Sequence, residues 1–174
     1  ARCWTVLNEP FVLVLGGFLD GQVPPGHSSA RDASRALDHL FAAPVIIKHL
    51  KSLEMEDLTI VSPDAGGVER ARAYAKRLGA ALAIIDKRRF AANQTEVLHI
   101  IGEVEGRNVF IVDDIIDTAG TLIHTMEALL KAGAKSVSAS ASHGVLSGPA
   151  VERINNSAMT QVVAMTRGTS RSIA

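Results

Sequence analysis

The densest group of chemically capable side chains lies in residues 112–121, which read VDDIIDTAGT. Amide N–H groups at a helix start, with small side chains around them, form a cradle for phosphate. The two adjacent carboxylates before the turn can accept hydrogen bonds from two neighbouring sugar hydroxyls, or hold a divalent cation partly through water. An ordinary helix cap needs only one such side chain. The segment therefore predicts a site for a sugar phosphate, formed by Asp113, Asp114, Asp117, Thr118, Ala119, Gly120 and Thr121.

These residues need a scaffold, and from Pro44 onward strand and helix patterns alternate. Apolar runs predict strands at residues 58–61, 81–85, 97–101, 108–112, 137–141 and 161–165. Helical spacing predicts helices from Pro44, at 67–78, at 121–132 (inner face Ile123, Met126 and Leu130) and near 150–154. Continuous apolar strands separated by helices are typical of an α/β fold with a parallel sheet covered by helices on both faces. Ligands of such sheets bind beyond the carboxyl ends of the strands.

Two further segments follow predicted strands. Residues 62–67 read SPDAGG, in which Pro63 and Asp64 form a good turn and helix cap. Residues 86–95 predict a polar loop that begins with Asp86 and a run of three basic residues. Most such basic runs are solvated turns, so this one alone gives little support to catalysis.

Four segments in order resemble one known family. Residues 112–121 resemble the phosphoribosyl diphosphate signature shared by type I phosphoribosyltransferases and ribose-phosphate diphosphokinases. Residues 62–67 resemble the diphosphate-binding loop of the diphosphokinases, and residues 86–89 resemble their catalytic flexible loop. Residues 143–150 and 153–156 resemble their C-terminal segment. Residues 37 to 166 therefore resemble the C-terminal half of a ribose-phosphate diphosphokinase.

The resemblance implies a phosphoribosyltransferase-like fold and a reaction. Family members transfer diphosphate from ATP, with Mg²⁺, to the C1 hydroxyl of ribose 5-phosphate, and the product phosphoribosyl diphosphate feeds nucleotide biosynthesis. By resemblance Lys87 and Arg89 are catalytic, and Asp64 is a magnesium ligand. Asp113 and Asp114 bind the ribose hydroxyls. The 5-phosphate is bound by residues 117–121, and diphosphate by the N–H groups of Gly66 and Gly67. The family also implies a homo-oligomer.

Residues 1–36 differ from the rest and match nothing in the family, so we expect an atypical N-terminal segment followed by a domain at 37–174. The family's N-terminal domain, which supplies most ATP contacts, is not recognisable. The chain begins with Ala1, and a fragment, a divergent start or a partner that supplies the missing half all remain open. Two other interpretations are a regulatory subunit without turnover and a salvage phosphoribosyltransferase. The latter needs a base-binding hood, for which the segment after Thr166 is short.

Bulk properties exclude some classes of function. The chain has 174 residues, of which 47% are hydrophobic and 21% charged, and its formal net charge is zero. This balance suits a globular domain and gives no overall electrostatic case for binding nucleic acid or a membrane surface. The apolar run at residues 11–19 is too short to span a bilayer. The single cysteine, Cys3, favours a reducing compartment, so we expect a cytoplasmic protein.

Overall fold

The computed structural model describes residues 42–88, 97–166 and 169–173. The predicted N-terminal segment 1–36 and the candidate catalytic residue Arg89 lie outside the described residues. The chain divides into two compact units, Ala1–Lys48 and His49–Ala174. The boundary falls within helix α1 (Ala43–Ser52), whose early Pro44 suits a first turn because the missing N–H would have no intrahelical partner there. The sheet described below belongs to the second unit.

The second unit alternates strands and helices as the sequence predicts. After β1 (Leu58–Ser62), a 3-10 turn (Ala65–Gly67) leads directly into helix α2 (Val68–Leu78). Gly79 ends α2 in the left-handed conformation, at φ 64°, which glycine adopts without a steric cost. The remaining elements are β2 (Ala81–Arg88), β3 (Val97–Ile101), β4 (Asn108–Ile116), α3 (Gly120–Lys131), β5 (Ser136–Gly144), α4 (Ala150–Asn155), β6 (Gln161–Thr166) and β7 (Thr169–Ile173).

The strands form one seven-stranded sheet in the order β3-β2-β1-β4-β5-β6-β7. The five inner strands are parallel to one another, which confirms the predicted α/β fold with a largely parallel sheet. Both edge strands are antiparallel to their neighbours. An antiparallel edge on a parallel sheet is common in large sheets, because such a strand needs only a short connection.

The two long helices cover opposite faces of this sheet. The connection through α2 runs from β1 toward the β3 edge, whereas the connection through α3 runs from β4 toward the β7 edge. Right-handed crossovers that run in opposite directions leave their helices on opposite faces. Alternate residues of β4 follow this division: Val109 and Ile111 join the cluster with the α3 side chains, and Phe110 and Val112 are buried outside that cluster. The sheet is thus buried on both faces.

Helix α3 presents a different face from the one that the sequence predicts. Leu122, Met126 and Leu129 are buried in the core, and they share a face at helical spacing. The predicted inner residues Ile123 and Leu130 are only partly buried against the same cluster. The predicted face is therefore rotated by about one residue from the buried one. All these positions are apolar, so the sequence alone does not show which of them contact the sheet.

Three predicted strand ends are also wrong, and one of them is that of β5, which continues past residue 141 through Gly144. Strand β4 continues past residue 112 through Ile116, since its ladder with β5 pairs Asp113 with Ala141 and Ile115 with His143. Strand β2 continues past residue 85 through Arg88, since Lys87 pairs with Leu98 of β3. The predicted loop therefore begins at least three residues later than expected. Among the described residues, no helix has the length and apolar character that crossing a membrane requires.

Candidate functional site

The candidate site lies where the connections of the parallel sheet change direction. Strands β1 and β4 are neighbours, and the chain leaves them toward opposite edges of the sheet. The two crossovers therefore diverge beyond the carboxyl ends of these strands and leave a crevice there. The two loops that carry the predicted binding residues follow β1 and β4. The fold thus brings residues 62–67 and 113–121 to the same crevice.

An acidic pair at the end of β4 is held by an arginine from α2. The guanidinium of Arg70 donates from Nη2 to Asp114 Oδ2 at 3.1 Å, and its Nη1 lies 3.8 Å from Asp113 Oδ1. The Arg70 side chain is 11% exposed, against 23% for Asp113 and 46% for Asp114. The Asp114 N–H also donates to Asp113 Oδ1, at 2.8 Å. The two carboxylates are therefore fixed relative to each other while Asp114 still reaches the solvent.

The two carboxyl groups of this pair differ in their readiness to ionise. Burial and the shared hydrogen bond with Asp114 raise the pKa of Asp113 from its ordinary 3.8 to about 7, although the charge of Arg70 opposes the rise. The pKa of Asp114 is lowered, since its hydrogen bond with Asp113 and the Arg70 cation outweigh its own partial burial. Near neutral pH the pair can therefore keep one proton between two carboxyl groups, which leaves both an acceptor and a donor for a ligand hydroxyl.

The phosphate loop is a tight turn into the start of α3. Ala119 has φ 61° and ψ 5°, a left-handed conformation that is strained for a residue with a Cβ, and it is 5% exposed. Its carbonyl accepts the hydrogen bond from the Ile123 N–H, so the helix begins immediately after it. The first amide N–H groups of a helix have no intrahelical partner. Those of Gly120 and Thr121 therefore suit an anion, and Thr121 is exposed.

The segment after β5 braces this loop from one side. Ser147 donates its hydroxyl to Asp117 Oδ1 and its backbone N–H to the Asp117 carbonyl. Arg153 of α4 donates from Nη1 to the Thr118 carbonyl at 3.0 Å. A Cβ on Gly120 would lie 3.6 Å from the same Arg153 nitrogen. The Asp117 carboxylate already accepts a hydrogen bond and would repel phosphate. The predicted contribution of Asp117 to phosphate binding can therefore come only from its backbone N–H.

The glycine loop after β1 is closely packed and ends in a capped turn. Asp64 accepts the Gly67 N–H at 2.9 Å through Oδ1, and the Ser62 hydroxyl donates to the Asp64 carbonyl at 2.7 Å. A Cβ on Gly67 would lie only 2.8 Å from Ser62 Oγ, so this position excludes any side chain without a local shift. Asp64 and Gly66 are exposed. The cap that the sequence allowed at Asp64 is confirmed, and its role as a metal ligand stays a prediction.

The predicted catalytic residues are only partly within the described chain. Lys87 lies on β2 next to the end of that strand and is partly exposed. Arg89 lies outside the described residues. Of the two predicted catalytic residues, the structure therefore locates Lys87, on the strand next to β1. Within the described part of the chain, no cluster of three or more histidine, cysteine, aspartate or glutamate side chains could hold a metal ion.

Comparison with known proteins agrees with this geometry. The phosphoribosyl transferase domain family matches residues 40–166, which is most of the chain. The chain belongs to this family. This membership confirms the phosphoribosyltransferase-like domain that the resemblance of residues 112–121 predicts.

Among curated relatives, this phosphoribosyltransferase domain is similar to ribose-phosphate pyrophosphokinases, a synonym of the diphosphokinases. It is 51% identical to the ribose-phosphate pyrophosphokinase of Clostridium acetobutylicum over 129 residues, and this match covers 73% of this chain and 40% of the relative. It is 52% identical over 127 residues to that of Bacillus subtilis, with coverages of 73% and 40%. For Neisseria meningitidis the identity is 54% over 127 residues, with coverages of 73% and 39%. The chain thus spans about 40% of the length of the curated relatives that it matches.

Solved structures show the same similarity. The phosphoribosylpyrophosphate synthetase of Mycobacterium smegmatis matches with a TM-score of 0.64 and 33% identity, over 71% of this chain and 40% of that one. A purine phosphoribosyltransferase of Pyrococcus horikoshii matches with a TM-score of 0.51 and 27% identity, over 62% of this chain and 74% of that one. The fold of the phosphoribosyltransferase domain is therefore shared by both enzyme types.

Sequence reasoning missed three residues that organise the site of this phosphoribosyltransferase domain: Arg70, Ser147 and Arg153. Each contacts the β4–α3 segment from more than 25 residues away in the chain, so no local spacing links them. Arg70 nevertheless carries one local signal. A basic residue in the first turn of a helix opposes the helix dipole, which costs about 0.3–1 kcal/mol when no partner offsets it.

Proposed function

We propose that this chain is the ribose-phosphate-binding part of a ribose-phosphate diphosphokinase. The enzyme transfers a diphosphoryl group from ATP to the C1 hydroxyl of ribose 5-phosphate and so makes phosphoribosyl diphosphate. The observation that carries the proposal is the convergence of the acidic pair, the phosphate loop and the capped glycine loop at the divergence of β1 and β4. The relatives named ribose-phosphate pyrophosphokinase support it.

Binding of the sugar phosphate follows from the β4–α3 segment. The N–H groups of residues 117–121 receive the 5-phosphate at the positive end of α3, a twelve-residue helix. The Asp113–Asp114 carboxyl groups receive the two ring hydroxyls, with Asp114 as an ionised acceptor because its pKa is lowered. The Thr118 and Thr121 hydroxyls, on exposed residues, add donors beside the phosphate. One segment therefore holds the sugar phosphate at both ends.

The glycine loop suits the transferred diphosphate. Exposed Gly66 allows phosphate oxygens to approach the backbone at the start of a helical segment. Gly67 is buried and its N–H is donated to Asp64, so its predicted contact with diphosphate requires that this cap opens. Asp64 offers one exposed carboxylate of the hard oxygen type that Mg²⁺ prefers, and Mg²⁺ is commonly held by one or two carboxylates plus substrate phosphates and water. The residues therefore fit a magnesium ion held jointly with substrate. When bound, such an ion neutralises charge on the phosphate oxygens.

Lys87 supplies the cation for the transfer step in this proposal. Phosphoryl transfer depends mostly on positioning and on stabilising the negative charge that spreads over the transferring group. Lys87 stands beside the end of β2, next to β1 in the sheet. Its ammonium, together with Arg89 two residues later, can offset that charge. The ring hydroxyls and the 5-phosphate stay held by β4 and α3 meanwhile.

ATP binding and self-association are the parts of the proposal that depend most on the family. The chain spans about 40% of its relatives' length, and the family resemblance implies that most ATP contacts come from an N-terminal domain that is not recognisable in this sequence. We propose that a second segment or subunit completes the ATP site and that the protein forms oligomers. Sedimentation of the purified chain, with and without nucleotide, tests the second point.

Calorimetric titration is the first test of the proposed function. Ribose 5-phosphate should bind the chain, and magnesium ATP should bind only where the nucleotide contacts are complete. Ribose and inorganic phosphate added separately should bind more weakly than ribose 5-phosphate, because each contacts only one end of the β4–α3 segment. Asp113→Ala should abolish ribose 5-phosphate binding while the circular dichroism spectrum is unchanged. Unchanged affinity in that variant would overturn the assignment of the site.

A salvage phosphoribosyltransferase remains a second candidate because one solved relative of that type shares the fold at 27% identity. That activity joins a purine base to phosphoribosyl diphosphate with loss of diphosphate. Turnover of phosphoribosyl diphosphate with adenine or hypoxanthine, and none with ATP and ribose 5-phosphate, would favour this candidate. The opposite pattern would favour the diphosphokinase.

A further inference from the structure

Arg70 is placed where a helix residue normally would not be cationic. It is the third residue of α2, in the first turn, where the partial positive charge of the helix end disfavours a cation. Its guanidinium is also largely buried, with 11% of the side chain exposed. Both features oppose a charged group unless an interaction offsets them, and departures from local rules of this kind concentrate at functional sites.

The offsetting interaction is with the acidic pair across the crevice. Arg70 Nη2 lies 3.1 Å from Asp114 Oδ2, and Arg70 Nη1 lies 3.8 Å from Asp113 Oδ1. The planar guanidinium holds its N–H groups in a fixed fork, so the hydrogen bond of one nitrogen to Asp114 also sets the second nitrogen at ion-pair distance from Asp113. Lysine in its place would keep the charge without the fork.

This contact also joins the two halves of the candidate site. Arg70 follows the glycine loop by three residues and belongs to the helix that this loop starts. The acidic pair belongs to β4, and 44 residues separate Arg70 from Asp114. The contact therefore connects the start of α2 physically with the carboxyl groups at the end of β4.

We propose that Arg70 is a positioning residue of the ribose site, which fixes the Asp113–Asp114 carboxyl groups as partners for two sugar hydroxyls and ties them to the glycine loop. This inference rests on the proposed function of the site. Arg70 contacts the acidic pair rather than the sugar. The pKa values of the pair are set chiefly by burial, by the interaction of the two carboxyl groups with each other and by the charge of Arg70.

Replacement of Arg70 should therefore have two measurable effects. In Arg70→Met the dissociation constant for ribose 5-phosphate should rise at least tenfold, and the pH at which Asp113 titrates in the free protein should rise, because the cation that opposes protonation is gone. In Arg70→Lys the titration of Asp113 should stay near that of the unmodified protein, yet the affinity should still fall severalfold, since one ammonium cannot bind both carboxylates as a fork.

The matched control is Arg72→Met. Arg72 lies on the same helix, is 59% exposed, and pairs with Glu69 rather than with the site. This variant should leave both the affinity and the Asp113 titration unchanged. Binding of inorganic phosphate to residues 117–121 should be retained in all three variants, which reports that the fold and the phosphate loop are intact.

The experiment combines calorimetry with carboxyl carbon NMR titrations of Asp113 and Asp114. Unmodified affinity for ribose 5-phosphate in Arg70→Lys would overturn the positioning role, and this variant remains decisive if Arg70→Met fails to fold. An unchanged Asp113 titration in a folded Arg70→Met would overturn it as well. Absence of ribose 5-phosphate binding in both the unmodified protein and Arg72→Met would instead refute the proposed function on which the inference depends.

Discussion

Replacement of Asp113 by asparagine should make the protein more stable at alkaline pH. The folded protein raises the pKa of Asp113 from 3.8 to about 7, chiefly through burial. Between these two values the folded state holds a proton that the unfolded state releases, so stability falls as the pH rises through that window. Asparagine keeps the shape of the side chain and its carbonyl acceptor but cannot ionise. The variant should therefore escape this loss of stability.

The size of the effect follows from the same values. A rise in pKa from 3.8 to about 7 corresponds to about 4 kcal/mol of unfolding free energy, which is lost between acid and alkaline pH. Asp113 still exposes 23% of its side chain, and water reduces the cost of its charge. We therefore expect that, from acid to alkaline pH, the unfolding free energy of Asp113→Asn gains about 2 kcal/mol relative to that of the unmodified protein.

Urea unfolding at about pH 4 and about pH 8 measures this difference. Asp114→Asn is the control of opposite sign, because the pKa of Asp114 is lowered and its charge adds stability that is lost only as the pH falls. Asp114→Asn should therefore be less stable than the unmodified protein at the higher pH. A stability difference for Asp113→Asn that does not vary with pH would refute the assignment of a protonated Asp113.

Three further predictions concern other parts of the site. Gly67→Ala should destabilise the fold by about 1–3 kcal/mol in urea unfolding, because the new Cβ would lie 2.8 Å from Ser62 Oγ; an effect near zero would contradict the close packing. Ser147→Ala should weaken inorganic phosphate binding severalfold in calorimetry, because it removes the hydroxyl that donates to the Asp117 carboxylate; equal affinity would show that this hydrogen bond does not support the phosphate loop. Lys87→Ala should retain ribose 5-phosphate binding and lower turnover in any preparation that converts ATP and ribose 5-phosphate, and undiminished turnover would exclude Lys87 from the transfer step.

The sequence predicts the sheet well because the inner strands are buried on both faces. Burial on both faces favours apolar runs such as residues 109–112, and these runs are visible without any structure. The ends of strands are less visible. Polar residues such as Asp113 and Lys87 suggest a loop, whereas their backbones continue ladders with β5 and β3. A ladder depends on the neighbouring strand, which the local sequence does not specify.

The candidate site divides along the same line. The phosphate loop and the acidic pair are contiguous in the chain, so their residue types alone indicate a ligand. Arg70, Ser147 and Arg153 act through contacts with distant residues, and a single sequence contains no signal that pairs them. Arg70 carries one local signal, since it is a cation that a helix start disfavours. Ser147 and Arg153 lie in segments that resemble the family, but the resemblance assigned them no contact with the phosphate loop.

The continuity of β4 and α3 has a consequence for how the site can change over time. The acidic pair and the phosphate loop sit on one strand, one turn and one helix start, and the strand is paired on both sides by β1 and β5. The distance between the acidic pair and the phosphate loop is therefore set mainly by the backbone of this one segment and its ladder with β5. The glycine loop belongs to a different strand, and the residues after β2 to a third. Substitutions in those two segments can thus change which group meets the proposed sugar phosphate, without altering the backbone of the β4–α3 segment that would hold it.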